Sequence, residues 1–115
     1  MTIRLKQNDT VPNLEQTLTD PDGMSADLRF YNDVRFIMRD KYTLETIIDS
    51  GVSENVNVID DENGVVEYDW SGEDTSRAGE YEAEWQVNYG SDSSEIEIST
   101  YPNDGYIDIT IVSDI

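Results

Sequence analysis

Residues 72–89 read GEDTSRAGEYEAEWQVNY. In the second half Tyr81, Ala83, Trp85, Val87 and Tyr89 alternate with Glu82, Glu84, Gln86 and Asn88. A period of two over this length marks a strand with one face in a core and the other in water. The first half is a corner of acids and small residues, closed by Gly79-Glu80-Tyr81. A polar corner leading through Gly-x-Tyr into a long two-faced strand, in a chain without cysteine, sets the question of fold.

The same period runs outward in both directions. Ile3 and Leu5 alternate with Arg4 and Lys6, Leu14 to Leu18 with Glu15 to Thr19, and Val34, Phe36 and Met38 with Arg35, Ile37 and Arg39. Further strands are expected near 45–49, 54–59, 65–70, 95–100 and 106–112. Between them lie turn signals: DPDG (20–23), with proline where its fixed φ fits, DDENG (60–64), ending in Asn-Gly, GSDSS (90–94) and YPNDG (101–105). Eight or nine short strands with turns about every 8 to 12 residues imply an all-β, Ig-like antiparallel β-sandwich, with residues 1–115 as a single domain. In that fold a tyrosine near the start of the sixth conventional strand, F, returns its hydroxyl to backbone a few residues upstream. Tyr81 is placed for this, with Asp74 to Ala78 expected as a short helical turn before it. Ala83 stands where antibody domains carry their second cysteine, so Trp85 and Phe36 are expected to fill the core in place of a disulfide.

Charge limits the function classes. Twenty-six acids against seven bases give a net charge of −19. Six of the seven bases lie in residues 1–41, whereas residues 42–115 carry 19 acids and only Arg77. Self-repulsion of this size destabilises a compact chain, and salt screens it, the Debye length falling to about 3 Å at 1 M. Acid-rich, lysine-poor composition therefore suits a high-salt cytoplasm and points to a halophilic source. Nucleic acid is not an expected partner, because phosphate binding needs clustered bases. No apolar run approaches a membrane span and MTIRLKQNDT does not read as a signal peptide, so the expectation is a protein made and folded in the cytoplasm without membrane insertion, or one that leaves the cell by another route.

With no histidine and no cysteine, the usual nucleophile–base pairs cannot be assembled, and catalysis is not expected. No cofactor is expected either. DPDG and DDENG look like fragments of oxygen-ligand loops, but neither continues into the spacing and distant glutamate of a calcium loop, so both are expected to be turns and no metal site is assigned. Asn8-Asp9-Thr10 fits the three-residue glycosylation pattern and is equally a polar bend. Arg35 and Arg39 should point away from the core and pair across to Glu82 and Glu84. They form one candidate partner face. Phe30 and Tyr31, in the polar connection before the third strand, and Tyr101 at the rim are the aromatics expected to contact a partner, together with the first strand.

The blocks IRLKQNDTVPNLEQTLTDPDG (3–23), DVRFIMRD (33–40), NGVVEYDW (63–70), DTSRAGEYEAEWQV (74–87) and YPNDGYIDITI (101–111) resemble, in order and spacing, the N-terminal Ig-like domain of phage baseplate upper proteins. The resemblance covers nearly the whole chain. It implies a structural protein of a tailed virus, found in the virion, in which such a domain anchors a component to the tail or baseplate. Its partners would be other virion proteins, in multiple copies on a symmetric assembly, and no catalytic motif is carried over. Relatives continue into helical and receptor-binding regions, whereas this sequence closes at Val112-Ser113-Asp114-Ile115, so a neck or capsid-surface position stays open beside the baseplate. With the acidic surface added, the expectation is a virion protein of a halophilic, archaeal host. A free-standing cell-surface or carbohydrate-binding module is the alternative.

Overall fold

The computed structural model describes residues 2–89, 98–102 and 105–113. The GSDSS turn and the first residues of the strand expected from Glu95 lie outside them. Period-two alternation becomes nine strands among the described residues: β1 Thr2–Lys6, β2 Leu14–Thr17, β3 Asp33–Asp40, β4 Thr46–Ser50, β5 Val56–Asp60, β6 Val65–Tyr68, β7 Gly79–Asn88, β8 Ile98–Tyr101 and β9 Ile107–Val112. No described residue is helical. Valine, isoleucine and tyrosine are the commonest inward residues of the described strands, as a pleated, half-buried surface favours.

The strands form two sheets. The larger has the order β1-β9-β7-β3-β4, with β8 also on β7, and the smaller has the order β2-β6-β5. The neighbours β9-β7-β3-β4 opposite β2-β6-β5 are those of an Ig-like sandwich. β7 is the spine: β3 pairs with it from Asp33↔Asn88 to Asp40↔Tyr81. Its other edge is shared between β9, opposite Gly79–Ala83, and β8, opposite Trp85–Asn88. One pairing departs from an all-antiparallel sandwich, because β1 runs parallel to β9 from Thr2↔Asp108 to Lys6↔Val112. The two segments are remote in sequence, so no short turn dictates their relative direction.

The core lies between the sheets. Val34, Phe36 and Met38 from β3 and Tyr81, Ala83, Trp85 and Val87 from β7 are buried against Leu14, Val66 and Tyr68. Phe36 is the centre of an aromatic cluster, with ring centroids 4.7 Å from Tyr68, 4.9 Å from Trp85 and 5.9 Å from Trp70. The Trp85 indole N–H donates to Gln16 Oε1 at 3.1 Å and so ties β7 to the opposite sheet. Tyr101 belongs to this core as well. It is opposite Trp85 on β8 and only 8% exposed, so the expectation that it contacts a partner is corrected. Sharing Trp85's phase turns its ring inward.

At the corner before β7 the Tyr81 hydroxyl donates to the Arg77 carbonyl at 2.8 Å. The preceding segment is two overlapping turns, Asp74 N–H to Ser71 O and Ser76 N–H to Glu73 O, rather than a helix. Asp74 does not touch Tyr81. Its Oδ2 accepts from the Tyr68 hydroxyl at 2.7 Å and from Ser71 N–H at 2.8 Å. Burial, and then this carboxylate, push the Tyr68 phenol well above its ordinary value, keeping it a proton donor. Tyr81→Phe removes one part-buried bond and is expected to cost about 0.5–1.5 kcal/mol. The urea midpoint reads the change, and an unaltered midpoint would show the corner contributes nothing.

Candidate interaction surface

Alternation leaves Arg35, Ile37 and Arg39 of β3 and Glu80, Glu82, Glu84 and Gln86 of β7 on the outer face of the larger sheet. Arg39 Nε donates to Glu82 Oε1 at 2.6 Å, across the β3–β7 register. Arg35 does not reach Glu84. It turns to β4, with Nε on Asp49 Oδ1 at 2.7 Å, and holds Asp33 at 3.1 Å. The reason is local: residue 86, directly opposite Arg35, is an amide, while β4 presents a carboxylate beside it. Lys41, just past β3, bonds Asp108 Oδ1 at 3.0 Å. Each partner raises the pKa of its base: Asp49 and then Asp33 for Arg35, Glu82 for Arg39, Asp108 for Lys41. Arg4 and Lys6 point outward from β1 on the same sheet. Five of the chain's seven bases thus gather on one face and neutralise much of its acid.

The opposite face is different. β2, β5 and β6 contain no base, and Glu15 stands directly across from Glu67. The Asn57 amide relieves part of this side, reaching Glu67 at 3.4 Å and Asp69 at 3.0 Å. The charge asymmetry along the sequence has become an asymmetry across the sandwich.

Near the β3–β4 turn the outer face of the larger sheet holds a groove of about 310 Å³. Ile37, Leu44 and Tyr106 line it together with Arg39, Asp49, Glu82 and Glu84. The Arg39 guanidinium lies 5.0 Å from the Tyr106 ring centroid and donates to its hydroxyl at 3.1 Å. Leu44 is 55% and Tyr106 42% exposed. Ile37 could have been singled out from sequence as the apolar residue in the outward phase of β3; Leu44 and Tyr106 could not, since nothing local brings them together.

Phe30 and Tyr31 lie elsewhere. Phe30 is 80% exposed, with the Arg29 guanidinium 5.9 Å from its ring centroid and Arg29 paired to Asp27 at 2.8 Å. Tyr31 is partly buried against the core. Both sit beside the Asn88 end of β7, since Asn32 N–H bonds Asn88 O. β1 sits at the opposite end, level with Gly79–Glu82 through β9. The first strand and the Phe30–Asn32 loop therefore do not form the single contact surface expected from sequence.

The turn acids serve their own backbone. Asp20 Oδ1 accepts from Asp22 and Met24 N–H, and Asp60 accepts from Asn63. Asn8, at φ +69°, occupies the bend after β1. Among the described residues no group of three acids converges as metal ligands, and no helix is long and apolar enough to cross a membrane. No protein-family model matches the chain, and a search among curated proteins finds no match.

Proposed function

We propose that this domain is a structural component of a tailed-virus particle, at the tail, baseplate or neck, acting by protein–protein assembly in a virus of a halophilic host. Five blocks resembling a baseplate Ig-like domain support the viral part of this reading. The observation that carries the assembly part is the outer face of the larger sheet, where Arg35, Arg39 and Lys41 are matched to acids around Ile37. On a chain of net charge −19, a neutralised face with an apolar centre is the surface a neighbour can cover at least electrostatic cost. Mass spectrometry of purified particles tests the reading. The chain should be present at a fixed ratio to the tail proteins, and its absence would remove the proposal.

The high-salt part has its own test. The thermal midpoint is expected to rise strongly between about 0.1 M and 1 M KCl as the repulsion is screened. A flat or falling midpoint would count against a halophilic origin.

A further inference from the structure

We infer that the outer face of the larger sheet docks against the same face of a second copy of this chain. The inference rests on the assembly reading and names its partner.

The first argument is charge. Two molecules of net charge −19 repel through almost any surface they present to each other. The β2-β6-β5 face, with Glu15 opposite Glu67 and no base on its strands, would place acid against acid. The outer face of the larger sheet carries counter-charges for Asp33, Asp49, Glu82 and Asp108, so a second copy can cover it with far less repulsion. Arg4 and Lys6 add exposed positive charge at its β1 edge, and Glu84 near its middle accepts from the Gln86 amide at 3.2 Å.

The second argument is Leu44. Its φ of +65° lies in the left-handed region, which glycine or asparagine occupies at less cost. The turn is held there by Leu44 N–H to Asp40 O, Asp40 N–H to Glu45 O, and the Asp40 carboxylate accepting from Tyr42 and Thr43 N–H. Within one chain the exposed leucine side chain gains little burial to offset that conformation. Set beside Ile37 and Tyr106 at the groove, it becomes an anchor for something outside the chain.

The third argument is size. At about 4.8 Å between strands and about 3.3 Å per residue, the 38 residues of the larger sheet's six described strands make a face on the order of 600 Å² per copy, at the lower limit for a specific dimer. A reversible dimer, strengthened by salt, fits that area.

Sedimentation equilibrium on the purified chain in about 1 M KCl is the test. The wild type should show a concentration-dependent dimer that weakens at lower salt. Leu44→Gly suits the backbone, so it should fold normally and weaken association by about tenfold. Ile37→Lys should abolish association, and Glu67→Gln, on the other face, should leave it unchanged. A wild type monomeric up to about 1 mM overturns the inference. So does a folded Leu44→Gly variant that dimerises as tightly as wild type, or a Glu67→Gln variant that disrupts the dimer. If the chain is monomeric yet Leu44→Gly loses its place in particles, the face docks a different virion protein: self-docking falls and the assembly reading stands. If the dimer forms through this face but particles lack the chain, the virion reading falls and self-docking stands.

Discussion

Gly64→Ala is expected to destabilise the domain by about 3 kcal/mol, a large share of the roughly 5–15 kcal/mol available to a small domain. Gly64 closes the β5–β6 turn at φ +69°, where a Cβ is disfavoured even in open space. Here the space is not open. A Cβ would stand 2.7 Å from Ala26 O, 3.0 Å from Ala26 N and 3.1 Å from Leu18 O. All three are backbone atoms in a bonded set: Leu18 N–H donates to Gly64 O at 2.8 Å, Ala26 N–H to Leu18 O at 2.8 Å, and Leu28 N–H to Asp61 O at 2.7 Å. Moving them aside breaks bonds that hold the segment after β2 against the hairpin. Gly23, also at positive φ, has nothing within 4 Å of its Cβ position. Gly23→Ala is therefore the control and should cost about 1 kcal/mol. Guanidinium unfolding of both variants measures the difference, and equal midpoints would show that the close approach carries no weight.

Phe36→Ala should cost about 3–5 kcal/mol. Phe36 is fully buried and in contact range of Tyr68, Trp70 and Trp85, so its removal opens a cavity between the sheets where no disulfide holds them. The aromatic cluster does not collapse freely into that space, because the Trp85 indole is fastened to Gln16 and the Tyr68 hydroxyl to Asp74. Phe36→Leu keeps most of the volume and should cost about 1.5 kcal/mol or less. Near-ultraviolet circular dichroism with denaturant melts reads both. An alanine variant no weaker than the leucine variant would mean the cluster is not a structural centre.

The strands were legible because each buries one face, so their period of two is written into the sequence at Val34–Met38, Tyr81–Val87 and Ile107–Ile111. Turns were legible where a backbone requirement selects a residue, as at Pro21, Gly23 and Gly64. What depends on which strand lies beside which was not. Tyr101 is a surface aromatic or a core one according to its register against Trp85, and that register is set by a partner 16 residues away. Arg35 finds Asp49 only because β4 flanks β3 on the side away from β7. Asp74 was read as part of the tyrosine corner because it is near in sequence, yet it serves Tyr68 on the opposing sheet. The gathering of bases on one face has the same origin: Arg4 and Arg39 are distant in the chain and become neighbours in surface only through β9 and β7.

The parallel pairing of β1 with β9 bears on how the domain responds to force. A pull applied at Thr2 and at Val112 acts along these two strands in opposite senses, because Thr2 lies beside Asp108 and Lys6 beside Val112. The ladder between them is then loaded in shear, its bonds sharing the tension instead of opening one after another from an end. Had β1 run antiparallel to β9, the same pull would peel the pair apart one rung at a time. Resistance to forced unfolding is set by the unfolding barrier rather than by equilibrium stability, so this strand pair can act as a mechanical clamp whatever the equilibrium stability of the folded state.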